Sequence, residues 1–140
     1  TDPASLREAM KGCSYLYHVA ADYRLWAKDP SDLYRNNVEG TRNVLRAAHA
    51  HGIRRVIHVS SAAVFGLPRE LPLCEDSPFE PLGPYGRSKL EAERVCVEFR
   101  ERGLDLTILR PVPILGPVRL GAFAILFDWG GHRDAGLPGP

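Results

Sequence analysis

A chain of 140 residues with 44% hydrophobic content suits a single domain with a real core. Eighteen basic against seventeen acidic side chains leave a formal net charge of +1, and no basic run or acidic tail points to nucleic acid or to a membrane surface. No apolar stretch approaches the roughly 18 residues of a membrane span, and no signal-peptide pattern opens the chain. Cys13, Cys74 and Cys96 are an odd number at long spacings, which predicts reduced thiols and a cytoplasmic protein. His18, His49, His51, His58 and His132 form no ligand spacing, so no metal site is expected.

The chain starts at Thr1 without an initiator Met, and Asp2-Pro3 already reads as the beginning of a helix. A piece of a longer protein is therefore expected. Asp2 as N-cap and Pro3 at the first position predict a short helix over Ala4 to Lys11, ended by Gly12. "YLYHVA", Tyr15 to Ala20, is a short aromatic-rich apolar run and reads as a buried strand. After the loop "ADYRLWAKDP", Ser31 is expected to cap a long helix reaching about Ala50, with Leu33, Val38, Val44 and Leu45 on its apolar face.

Gly52 stops that helix, and "RRVIHVS", Arg54 to Ser60, is the second strand. A Pro-rich loop from Gly66 to Gly83 leads into a helix over Pro84 to Arg102. Gly103 ends it, and "LDLTILR" is the third strand. A further helix is expected at "LGAFAILFDW", followed by a Gly/Pro-rich loop or disordered end. Short apolar strands alternating with longer helices predict a parallel sheet covered on both faces. Ligands of such sheets bind at the carboxyl ends of the strands.

The three strand ends carry the chemistry. The first leads into "AAD", where Ala20 and Ala21 let a flat ligand approach the backbone. The second offers the hydroxyls of Ser60 and Ser61, and the third exits through "RPVP", which cannot continue as a central strand. The helix before the third strand starts with Tyr85 and has Lys89 one turn on, on the same face. An ordinary phenol titrates near pH 10, so ionising one at neutral pH costs about 4 kcal/mol. A cation at roughly 4 Å recovers about the same amount at an effective dielectric near 20. Tyr85 and Lys89 therefore suit a proton-transfer pair, with Ser61 holding the substrate hydroxyl. The plainer alternative is two polar residues on a solvated face. Five tyrosines and three lysines produce such a spacing by chance roughly 0.1 times in this length, so the spacing is weak alone and gains its weight from its place between the two strand ends.

With these motifs in order, the sequence resembles the extended short-chain dehydrogenase/reductases that include NAD-dependent epimerases and dehydratases. "YHVAAD", "NNVEGTRNVLRAA", "RRVIHVSSAAVFG", "PYGRSKLEAE" and "LTILRPVPILGP" carry the resemblance from Asp2 to about Trp129. It implies an α/β fold with a Rossmann-like doubly wound parallel sheet, incomplete at its N-terminal side. Residues 1–118 would be a partial NAD(P)-binding domain and 119–140 the start of a substrate-binding region or a disordered tail. It implies Tyr85 as catalytic base, Lys89 as the residue that assists it and binds the nicotinamide ribose, and Ser61 as the group orienting the reacting hydroxyl. Val19, Ala20, Ala21, Tyr23, Asn37 and Val112 fall beside the cofactor, NAD with NADP as the alternative. Asn37 read without the resemblance is a helix polar residue bonding locally, and Val112 is a core valine.

Two departures matter. The Gly-rich GxxGxxG turn that receives the dinucleotide phosphates is absent, as is the acidic residue that meets the adenine. At the substrate position, Pro113 stands where sugar-nucleotide epimerases often carry asparagine. The loop "AADYRLWAKDP" is similar to one in hopanoid-associated sugar epimerases and dihydroflavonol-reductase-like members, and Trp26 would line the pocket or pack on its own domain. The implied partner is a small-molecule sugar or nucleotide sugar, with neither nucleic acid nor membrane; a homodimer is a candidate assembly. A carbonyl or alcohol reductase is the alternative activity, and a non-catalytic binding module or inactive remnant the alternative class. Without a phosphate turn, this chain alone is expected to bind NAD weakly or not at all. NAD titration should leave Trp26 and Trp129 fluorescence unsaturated; tight, saturable quenching would contradict the expectation.

Overall fold

A computed structural model of the chain describes residues 2–24, 29–68 and 70–114. The expected helix at residues 120–129, the boundary near residue 118, and both tryptophans lie outside the described residues. Helix α1 (Pro3–Met10) begins as its sequence dictates: the Asp2 carboxylate accepts from the Ala4 and Ser5 N–H groups at 3.2 and 2.9 Å. Strand β1 (Tyr15–His18) follows. A helical stretch is then built from α2 (Ser31–Tyr34), a π-helical turn (Arg35–Glu39) and α3 (Gly40–Ala50). Ser31 is not the cap that its sequence position suggests. Pro30 occupies that place, and the carboxylate of Asp29 accepts the Ser31 N–H at 2.9 Å. Strand β2 (Arg55–Val59), a 3₁₀ turn (Ala62–Val64), helix α4 (Pro84–Glu101) and strand β3 (Leu106–Leu109) complete the described chain.

The sheet is parallel throughout, in the order β1-β2-β3, with Tyr15 opposite Arg55, His18 opposite His58, Ile57 opposite Thr107 and Val59 opposite Leu109. Side chains alternate between its faces. Leu16, Val56, Leu106 and Ile108 point to the helices, where they meet Met10 of α1, Leu45 and Ala48 of α3, and Val95, Cys96 and Phe99 of α4. Leu45, Ala48, Val56 and Cys96 are completely buried. Each large side chain so buried contributes about 1.5–3 kcal/mol.

The coverage of both faces that the strand pattern predicts is met on one face among the described residues. The opposite face carries Tyr15 and Tyr17 at 60% and 67% exposure and Leu109 at 47%. All crossovers run the same way along the sheet, so α1, α3 and α4 gather on one side. The same connectivity brings the exits of β2 and β3 and the first turn of α4 to one rim. Beyond the strands, the Ser60 N–H donates to Leu109 O at 2.7 Å and the Ala62 N–H to Pro111 O at 3.0 Å, so the two exits stay paired.

Candidate active site

Lys89 lies under this rim. Its side chain is 2% exposed, and Nζ donates to the carbonyl of Val59, the last residue of β2, at 2.8 Å. Burial pushes the lysine pKa below its ordinary value, opposed by Cys96 and by the Glu93 carboxylate one turn further along α4. Tyr85, half-buried, stands in the first turn of the same helix. Close approach of that turn to the exit of β2 depends on Gly86: a Cβ there would lie 2.6 Å from the Ala63 carbonyl oxygen and 3.1 Å from Pro81 Cβ. Gly86 thus packs the Tyr85 turn against the 3₁₀ turn that Ser61 caps. The Ser61 hydroxyl accepts the Ala63 N–H at 3.2 Å, which leaves its own proton for donation.

Asn37 joins the rim to the helices. It sits in the π-helical turn at 2% exposure, and its amide is fully used. Oδ1 accepts the Asp22 N–H at 2.7 Å; Nδ2 donates to Asp22 O at 2.8 Å and to the Ser88 hydroxyl at 2.9 Å. Ser88 in turn donates to Tyr85 O at 2.8 Å. The bonds of Asn37 are therefore long-range rather than local, and they tie the exit of β1 to the start of α4. Asp22 is fixed from outside by Arg24, whose Nε and Nη2 reach its two carboxylate oxygens at 3.0 and 2.6 Å and hold its carboxyl below the usual carboxylate range.

A cleft of about 390 Å³ opens beside the β1 exit, lined by His18, Ala20, Ala21, Asp22, Asn36 and Gly40 among others. Ala20 and Ala21 thus border a ligand-sized space, as their small side chains suggest. Val19, Tyr23, Val112 and Pro113 lie exposed along the rim. Gly86 and Ser88 were not singled out by the sequence, although both stand inside the "YGRSK" stretch that carries the Tyr/Lys pair.

Behind Lys89 sit two histidines. His18 Nε2 is 2.9 Å from the Thr41 hydroxyl, which itself donates to Asn37 O at 2.6 Å, so His18 presents its Nε2–H to Thr41. The His58 ring is 5.1 Å from that of His18, and neither of its nitrogens has a partner among the described residues. Burial first, then the Lys89 charge, lowers His18 to about 4 and His58 to about 3.

These features define a Rossmann-type parallel half-sheet with a buried lysine, Lys89, bonded beneath its carboxyl rim. Residues 1–124 match the NAD dependent epimerase/dehydratase family, and the chain belongs to it. It is similar to a putative dihydroflavonol 4-reductase of Synechocystis sp., 41% identical over 116 residues, covering 80% of this chain and 34% of that protein. Among solved structures it is similar to UDP-glucose 4-epimerase from Brucella ovis in complex with NAD (37% identity, TM-score 0.74, 78% of this chain and 35% of that one). RMD from Pseudomonas aeruginosa complexed with NADPH is 30% identical with a TM-score of 0.80, over 89% and 44% of the two chains. The chain spans about a third of the length of the curated relatives it matches.

The two histidines make stability fall in acid. Their folded-state pKa values are depressed, so the unfolded chain binds protons more readily. The stability they confer is complete above pH 6.5 and is lost as pH falls toward 4 and 3. Each contributes about 1.4 kcal/mol per pH unit inside that window. Urea unfolding between pH 7 and 4 should show this slope, and His58→Phe should flatten it by about half; an unchanged slope would contradict the assignment.

Proposed function

We propose that the chain carries the Ser61–Tyr85–Lys89 site of an NAD(P)-dependent epimerase or dehydratase acting in the cytoplasm on a sugar or nucleotide sugar. The observation that supports this most strongly is the buried Lys89 ammonium, bonded to Val59 O and one helical turn along α4 from Tyr85. A lysine placed so can have little structural purpose that an apolar residue would not serve better.

In this reading Tyr85 removes the proton of a substrate hydroxyl. Lys89 makes that transfer accessible at neutral pH by favouring the phenolate. Ser61 orients the hydroxyl and shares its proton. Bound NAD(P) supplies the hydride acceptor and donor. The cleft at Ala20 and Ala21 and the free N–H donors of Lys89 fit the nicotinamide-ribose end of such a dinucleotide. Asn37 is a positioning residue beside that end, since its amide is committed to Asp22 and Ser88. Val19, Tyr23 and Val112 border the cofactor from the exposed rim, and Pro113 faces substrate. Relatives complexed with NAD and with NADPH support either dinucleotide, and the Brucella ovis UDP-glucose 4-epimerase supports a nucleotide sugar as substrate.

The reductase relative of Synechocystis supports a second reading, carbonyl or alcohol reduction at the same three residues. Stoichiometric consumption of NADPH would favour it; cofactor retained through turnover favours the epimerase. In the protein at the full length its gene encodes, Tyr85→Phe should lower turnover about 10²–10⁴-fold while dinucleotide binding persists. Unchanged turnover would refute the role given to Tyr85.

A further inference from the structure

Arg110, at the exit of β3, meets four residues from three separate parts of the chain. Its Nε lies 3.0 and 3.1 Å from the two Glu93 carboxylate oxygens, and Nη2 donates to Glu93 Oε2 at 2.8 Å. Its Nη1 donates to the backbone carbonyl of Glu75 at 3.2 Å. The guanidinium carbon lies 4.8 Å from the Phe79 ring centroid and 5.4 Å from that of Phe65, and those two rings stack at 5.4 Å with 25° between their planes. The side chains of Arg110 and Glu93 are 19% and 4% exposed, so the ion pair is largely out of water.

Two of these contacts, with Glu75 and Phe79, fall on the loop that leads into α4. Residues 66–83 contain no helix or strand among those described, and Leu67, Leu71 and Leu82 are exposed. Arg110 reaches the second half of the loop twice, at the Glu75 carbonyl and at the Phe79 ring, and Glu80 separately packs against the backbone of Gly66, where a Cβ would collide with the Glu80 carbonyl. Pro81 then touches the position of Gly86, and Gly83 leads into Pro84 and Tyr85. The loop therefore delivers the first turn of α4 to the rim, and Arg110 is the side chain that fastens both the loop and, through Glu93, the body of that helix.

We propose that Arg110 is a positioning residue for the reaction: its guanidinium locks residues 75–82 against Phe65 and α4, and so fixes the approach of Tyr85 to the Ser61 turn. The proposal rests on the reading of Tyr85 as the working phenol. A planar guanidinium can bind a carboxylate in two places and stack on a ring at the same time, whereas an ammonium cannot.

Arg110→Lys tests it. In ¹⁵N relaxation of the full chain, residues 75–80 should go from order parameters near about 0.85 to below about 0.6, with β2 unchanged. The Tyr85 ring resonances, assigned with Tyr85→Phe, should shift. In turnover at the gene-encoded length, kcat should fall about tenfold with the dinucleotide KM unchanged. A folded Arg110→Lys protein with the loop and Tyr85 signals unaltered would overturn the proposal. Should that variant not fold, Phe79→Leu keeps the ion pair and removes the stack; it must loosen the same residues and move the same Tyr85 signals, and silence there overturns the proposal equally. The magnetic resonance readouts need no turnover, so a failure of the Tyr85 assignment shows in the kinetics of Tyr85→Phe and leaves them intact.

Discussion

The hydrogen bond from Lys89 to the carbonyl of Val59 is the constraint around which the site is organised. Removing an ammonium from water costs several kcal/mol, and one good acceptor recovers only part of that. The surroundings answer the charge. Glu93 lies one turn away on α4 and offers a carboxylate, itself neutralised by Arg110, so no net negative charge is stranded inside. His18 and His58, beneath the same side chain, stay neutral because burial and the lysine charge both oppose a second cation there. Lys89 is thus a buried cation, among the described residues, without a full counter-ion of its own, held against the carbonyl at the end of β2.

Geometry at the rim depends on Asn37 and Gly86 for different reasons. Asn37 uses its whole amide to hold the β1 exit at Asp22 and the α4 start at Ser88, which makes it a brace across elements that the strands do not connect. The π-helical turn places it there, a form of helix that recurs at functional positions. Gly86 contributes by having no side chain. Its absence of a Cβ lets the first turn of α4, which carries Tyr85, approach the 3₁₀ turn that follows Ser61.

Much of the fold was legible in the order of the residues. The three strands lie within the apolar runs, and α1, α3 and α4 end near glycines as the sequence suggests. Tyr85 and Lys89 stand one turn apart in α4, as their spacing of four, a local pattern, suggests. What could not be read locally is what depends on distant partners. Asn37 bonds to residues 15 and 51 positions away, so nothing near it in the chain distinguishes it from an ordinary helix asparagine. Arg110 looked like the end of a strand, because its partners Glu75, Phe65, Phe79 and Glu93 come from separate segments. The Ser31 cap was misplaced by one residue: the helix starts at Ser31 itself with Pro30 as N-cap, and the Ser31 N–H goes to Asp29. Among the described residues Tyr15 and Tyr17 lie exposed on the second face of the sheet, although in sequence apolar residues read as buried whichever face they occupy.

The central claim is that the buried Lys89 charge enables proton transfer by Tyr85. The pH dependence of turnover in Lys89→Met, at the gene-encoded length, tests it most directly. An ordinary phenol ionises near pH 10, so removing the cation should cost about 100-fold or more at pH 7, and the deficit should shrink as pH rises toward 10. A deficit of the same size at every pH, or no deficit, would contradict the account.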